Sequence, residues 1–373
     1  MNREHNRIIK LLFLITFLSI LIFNNCLNNK LKEFNLNKIR NYLNFCIQMS
    51  TNKIQFFINY HYIDISVIIP VYNSQKTITK SIISIQNQKK PTYEIILIND
   101  CSSDNSKRII ENLKIKDSRI KIINNRKNMG TLYSRCIGVL FSKGKYIFPL
   151  DNDDMFLENI FWSIYKEAYN NDYDIVGFKA LRGNSYYSQI KEMYDDPLHM
   201  HRNGLIVYQP ELSHFSLLNK ECHIWGKSIK AKIYKKAINI LGKKKYSIYV
   251  SLLEDNIMVF ILFQFANSFK FISKYGIYHL IHQESASFTL TKDHYIFCYI
   301  YFLEIIFDFT KNNYEDKKYV ILIAIQLEKS ISSRKLLSTK NRKYLKKVLE
   351  KIINSKYIIN DDKIRIKKEF PYL

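Results

Sequence analysis

From Ile65 onward, short β-branched runs alternate with amphipathic stretches, and this alternation constrains the fold more than any other feature of the chain. Ile65-Ser-Val-Ile-Ile-Pro70 has the texture of a strand buried on both faces. Ile78, Ile82, Ile83 and Ile85 then fall at helical spacing, residues 93–98 predict a second strand and residues 106–113 a second helix. The cycle continues with strands over 119–123, 145–150 and 173–178 and helices over 130–141 and 157–169. Such alternation implies a mostly parallel sheet joined by right-handed crossovers and flanked by helices, an α/β fold. Tyr72 and Asn73 follow the first strand, Asp100 the second and residues 151–154 the fourth, while Asn128 precedes the helix after the third. Ligands bind beyond the carboxyl ends of strands in open α/β sheets, so these separated polar clusters are expected to meet at one site.

Several chemistries are excluded early. The 9 glycines form no G-x-G-x-x-G and no G-x-x-x-x-G-K-[ST], which removes the usual dinucleotide fingerprint and the Walker phosphate loop. The 6 cysteines contain no C-x-x-C pair, so no zinc or thioredoxin pattern is readable. The formal net charge is +24, but there is no Arg-rich block, zinc-finger spacing or RNP-like motif, and the reading is of solvated basic faces with no nucleic-acid partner.

The first 27 residues read as a signal anchor or signal peptide. Leu11 to Phe23 is apolar except for Thr16 and Ser19, and Arg3, Arg7 and Lys10 precede it. Sixteen residues from Ile8 give about 24 Å of helix, short of a bilayer core of about 30 Å unless residues 24–27 also enter. Small A-x-A-like residues are missing from its end, which favours an uncleaved anchor. Residues 28–63 read as a stem, 64–290 as the catalytic domain and 291–373 as a helical C-terminal region, from the spacing of Tyr295, Cys298, Tyr299, Leu303 and Ile306 and of later runs over 319–327 and 344–353. The expected location is a single-pass membrane protein with its catalytic domain in the Golgi or endoplasmic reticulum lumen. Against that, the Asn-rich chain contains no N-x-[ST] sequon.

Asp151-Asn152-Asp153-Asp154 places three carboxylates within four residues at a strand end. Their repulsion is relieved either by a divalent cation or by a solvated turn in which Asp153 or Asp154 caps the next helix. Asp100 is a candidate acceptor for a nucleobase or a simple cap, with Ser102 or Ser103 opening the next helix. Asp255, beside Glu254 and ahead of the apolar run 257–265, is a helix cap, a reactive group at a cleft, or both.

Together these segments resemble the inverting glycosyltransferases of family 2, which have the GT-A fold and use nucleotide-diphospho-sugars. Ser66-Val-Ile-Ile-Pro-Val-Tyr-Asn73 resembles their opening strand and turn, and Ile95-Ile-Leu-Ile-Asn-Asp-Cys-Ser-Ser-Asp104 resembles the segment whose second acidic position holds the base. Asn128-Met-Gly130 with Arg135 resembles the third loop, Asp151-Asn-Asp153-Asp154 the D-x-D motif, and Glu254-Asp255 the later acidic pair. Asn99, Cys101 and Cys136 depart from the family pattern.

The resemblance implies a Rossmann-like GT-A domain and an enzyme, a hexosyltransferase. Asp255 is the expected catalytic base, and Pro70, Tyr72, Asp100, Ser102, Asn128, Arg135 and Asp151 the expected nucleotide-sugar contacts. Trp225 and Glu254 lie on the expected acceptor side, and Asp153, Asp151 and His282 are expected around Mn2+ or Mg2+. Trp225 is also readable as a packed core ring, and His279 as a further contact to diphosphate or metal. Expected partners are the nucleotide-diphospho-sugar, a glycan, protein or lipid acceptor, and a membrane through the N-terminal segment. The expected reaction is a metal-assisted single displacement that inverts the anomeric carbon. Two rivals share these motifs, a dolichyl-phosphate sugar synthase and a non-catalytic nucleotide-sugar-binding protein on the same fold.

Overall fold

The computed structural model describes residues 63–183, 194–195, 205–208, 223–281, 291–310, 317, 320–321, 323–325 and 338–370. The expected anchor, all but the last residue of the expected stem, and His282 lie outside the described residues. Among those described, no helix is long and apolar enough to cross a membrane.

The first half follows the alternation. Strands β1 (Ile65–Val71), β2 (Tyr93–Asn99), β3 (Ile120–Asn124) and β4 (Tyr146–Pro149) pair in parallel, with β1 between β2 and β4 and β3 outside β2. Helices α1 (Ile78–Gln86), α2 (Ser106–Lys116) and α3 (Thr131–Phe141) connect them. The two-residue side-chain period divides each strand between two cores. Ile68, Ile96 and Ile98 face the core that holds α3, while Val67, Ile69, Ile95 and Leu97 face the core that holds α1.

The second half departs from the expected mostly parallel sheet. After β5 (Met155–Phe156), α4 (Ile160–Asn170) and β6 (Ile175–Gly183) come the short β7 (Tyr194–Asp195) and β8 (Ile206–Tyr208), then β9 (Lys227–Lys230). β9 enters between β4 and β6, antiparallel to both, and so makes the sheet mixed. β10 (Ser268–Leu280) runs parallel to β6 and antiparallel to β5 and β8.

Helices α5 (Ala231–Leu241), α6 (Lys243–Tyr246), α7 (Glu254–Phe265), α8 (Lys292–Phe309), α9 (Thr339–Ile353) and α10 (Asn360–Glu369) complete the described chain. Residues 257–263 of α7 are all buried, as expected of a helix that is apolar all round. Its polar N-terminus, Glu254 and Asp255, is thereby held at the rim of the larger core.

Candidate active site

The turns beyond β1, β2 and β4 are tied together by polar contacts. Pro70 is buried within β1 past the end of the β1–β4 ladder, where its missing N–H costs nothing, and its carbonyl accepts from Asn152 Nδ2 at 3.2 Å. Ser81 Oγ of α1 donates to the Asn152 carbonyl at 3.0 Å. Pro70 therefore anchors the 151–154 turn through its backbone carbonyl. Ser102 is likewise spent on the loops: its hydroxyl accepts from the Asn73 N–H at 3.2 Å, and its own N–H donates to Asn99 Oδ1 at 3.2 Å. Cys101 adopts φ 61, a conformation that favours glycine at this position.

Asp100 is buried and organises the third loop. Its Oδ1 accepts from Asn125 Nδ2 at 2.7 Å and from the Met129 N–H at 2.8 Å, and its Oδ2 from the Gly130 N–H at 2.8 Å. Asn128 Oδ1 accepts from the same Gly130 N–H at 3.1 Å. These bonds fix the start of α3, where Gly130 has φ 87 and a Cβ would lie 3.2 Å from both Tyr249 Cδ2 and the Val250 carbonyl oxygen. Gly130→Ala is therefore expected to cost about 1–3 kcal/mol in urea unfolding and to displace Tyr249.

Tyr249 escaped sequence reading because it belongs to no periodic run. Its ring is 46% exposed, as is that of Tyr72. Burial pushes its phenol up, and the neighbouring Tyr72 and Asp100 push it further.

Five residues on from Gly130, Arg135 is the hub of the site. It is 4% exposed; Nη1 donates to Asp255 Oδ1 and Nη2 to Asp151 Oδ1, with Glu254 Oε1 3.6 Å from Nη1. Burial opposes its charge, but Asp255, Asp151 and Glu254 outweigh that and hold it firmly protonated. Asp255 Oδ2 accepts from the Ile224 N–H at 3.2 Å. Burial raises the Asp255 carboxyl above its ordinary value, with Arg135 pulling the other way. Burial, then Asp255, push Glu254 up to about 7. A carboxyl raised on folding penalises the folded state above its unfolded value, and the penalty levels off above the folded one. Glu254→Gln should thus be more stable than the parent at pH 8, by up to about 3 kcal/mol, with the difference gone near pH 4.5. Urea midpoints at the two pH values test this.

The D-x-D segment follows β4. Asp151, Asp153 and Asp154 each offer an oxygen within 4.8 Å of the others, a hard, all-carboxylate set that fits Mg2+ or Mn2+. Asp154 is fully buried and already engaged: His279 Nδ1 lies 2.9 Å from its Oδ1, which also accepts from the Leu280 N–H at 3.2 Å. A cation at this turn would be held by Asp153 and by Asp151, whose Oδ1 also accepts from Arg135. Burial disfavours the His279 charge, yet Asp154 pushes the imidazole up to about 9.

His279 lies on β10, just before its last residue, Leu280. It stacks at 5.0 Å on Trp225, which also stacks on His223 at 4.5 Å. Trp225 is 4% exposed, and this corrects the expectation of an acceptor-facing indole: the ring packs between elements and has no open face for a sugar.

The arrangement gathers acidic side chains beyond the carboxyl ends of the strands of a Rossmann-like sheet, and three comparisons with known proteins bear on it. Residues 66–225 match the family model Glycosyl transferase family 2. The chain is 30% identical over 128 residues to glycosyltransferase GlyG of Streptococcus pneumoniae, covering 33% of this chain and 42% of that protein. It is 35% identical over 95 residues to UDP-Glc:alpha-D-GlcNAc-diphosphoundecaprenol beta-1,3-glucosyltransferase WfgD of Escherichia coli, covering 26% and 37%. The matches thus span less than half the length of either relative. In structure it is similar to S. aureus TarS 1-349 solved in complex with UDP-GlcNAc, at 17% identity and a TM-score of 0.59 over 83% of this chain and 88% of that one. Residues 66–225 thus form a glycosyl transferase family 2 domain by that match, within a chain whose fold is GT-A-like.

Proposed function

We propose that the chain transfers a sugar from a nucleotide-diphospho-sugar to an acceptor hydroxyl, with inversion at the anomeric carbon. The observation that supports this best is Arg135 bonded at once to Asp151 and Asp255, which joins the D-x-D turn and the proposed base in one cluster. The base of the nucleotide seats against Tyr72 and Tyr249, above the loop that Asp100 holds. Asp255 takes the proton of the acceptor hydroxyl while that oxygen bonds to the anomeric carbon and the bond to the diphosphate breaks. Its Oδ1 is bound by Arg135 and its Oδ2 by the Ile224 N–H, so its orientation is set and one Oδ2 lone pair remains for the incoming hydroxyl. Burial raises this carboxyl, with Arg135 pulling the other way, and a carboxylate so raised is a stronger base than a free aspartate. A divalent cation held by Asp151 and Asp153 would supply charge neutralisation of the leaving diphosphate. The acceptor is a lipid-linked glycan, by analogy with the diphosphoundecaprenol named for the Escherichia coli relative.

Incubation with UDP- and GDP-sugars and lipid-linked or free glycans, with Mn2+ or Mg2+, tests this reading. Nucleoside diphosphate release with an inverted product is the expected result. Release of none from any donor, or a product of retained configuration, overturns it.

A further inference from the structure

The transfer chemistry leaves the C-terminal helices unused, and their outward surface has a distinct character. Residues 338–370 carry 11 Lys and Arg against 4 Asp and Glu, a net +7 in 33 residues, whereas residues 63–183 carry 18 against 13. The excess on α9 is segregated. Leu345, Val348, Leu349 and Ile352 are buried, and Lys340, Arg342, Lys343, Lys346 and Lys347 form the exposed opposite arc with a single acid, Glu350, among them. On α10, Ile364 is 64% exposed and lies at i, i+3, i+4 spacing with the exposed Lys367 and Lys368; Ile359, just before the helix, is 43% exposed.

We propose that the outer faces of α9 and α10 dock on the surface of an anionic lipid bilayer. Charge complementarity supplies the attraction, since lysines near an anionic leaflet each add to binding and fall off within a Debye length. A polyanion such as RNA would satisfy the same charges, but it gives the two exposed isoleucines nothing. Their removal from water is gained only where a headgroup–acyl boundary receives them, which favours the bilayer.

The surface also starts near the candidate site. Asn341, in the first turn of α9, donates through Nδ2 to the Asp293 carbonyl at 2.8 Å and to Asp293 Oδ1 at 2.9 Å. The ring of the next residue, His294, lies 5.4 Å from that of Tyr249, which packs at Gly130. Docking there would bring the site to its acceptor, and for that purpose alone it rests on the lipid-linked reading above.

The test places an indole at the surface of the full chain. Ile364→Trp is compared with the parent, whose 2 tryptophans supply the background, on vesicles of brominated phosphatidylcholine with about 30% phosphatidylglycerol. Expected is extra loss of emission from the introduced indole on these vesicles. It should disappear on phosphatidylcholine alone and on adding Lys343→Glu, Lys346→Glu and Lys347→Glu, exposed substitutions whose folding is checked by circular dichroism. No extra quenching on anionic vesicles, equal quenching on neutral ones, or quenching that survives the triple reversal overturns the proposal. Binding of single-stranded RNA with the vesicles left unquenched overturns it too. Because the readout is local to α10, membrane binding through the N-terminal segment does not mimic it. Donor turnover of the same variants in vesicle-free buffer is scored separately. Turnover without quenching removes the docking surface alone, and quenching without turnover removes the transfer reading alone.

Discussion

Asp255→Asn should lower turnover by about 10²–10⁴-fold while leaving binding of the nucleoside diphosphate nearly unchanged. The substitution keeps the shape of the side chain. Its single amide oxygen can still accept from Arg135, but the Nδ2 group that replaces the other oxygen cannot accept from the Ile224 N–H, so one positioning bond is lost along with the charge. What it removes is the carboxylate proposed to receive the acceptor proton. The proposed nucleotide contacts lie elsewhere, at Tyr72, Tyr249 and the Asp100 loop, and titration calorimetry with UDP should read them as intact. Turnover within about tenfold of the parent would remove Asp255 as the base, whatever the affinity.

Arg135→Met should destabilise the fold by about 3–5 kcal/mol at pH 8, a large share of the about 5–15 kcal/mol that holds a typical domain together. Arg135 is the buried cation facing Asp255, Asp151 and Glu254, and methionine fills much of its volume while leaving these carboxylates uncompensated. The sign of the pH dependence follows. Burial already raises the Asp255 and Glu254 carboxyls, and loss of Arg135 raises them further. A raised folded-state value penalises folding wherever the unfolded chain is ionised, so the deficit is fully present at pH 8 and shrinks as the carboxyls protonate toward pH 5. Arg135→Lys retains the charge but reaches only one carboxylate well, and an intermediate loss is expected. Urea unfolding of the three proteins at both pH values decides the matter. A Met variant within about 1 kcal/mol of the parent at pH 8 would show that solvent, and not Arg135, neutralises the cluster.

The fold's first half was legible because its signals are local. β1 and α1 announce themselves by side-chain period over a few residues, and the observed bounds differ from the expected ones by one or two positions. The second half was not. β9 is only Lys-Ser-Ile-Lys, and Lys227 and Lys230 are buried in it because their ammonium groups reach the His223 carbonyl and Asp174. β10 mixes Lys and Tyr into its 13 residues and shifts register against β6 near Tyr275, which blurs its alternation.

At the site, residue types and strand ends pointed to Asp151 and Asp153, and the family resemblance to Asp255, without any coordinates. Which partners those side chains take did not follow. Arg135 and Asp255 are 120 positions apart, and Asp154 meets His279 across 125. Periodicity and turn chemistry act between neighbours in sequence, so the chain by itself determined where carboxylates stand at the ends of strands. Desolvation and ion pairing act between neighbours in space. Only the tertiary structure therefore decided that Asp100 is spent on its loop, that Trp225 is packed inside, and that one buried guanidinium joins the site's two acidic segments.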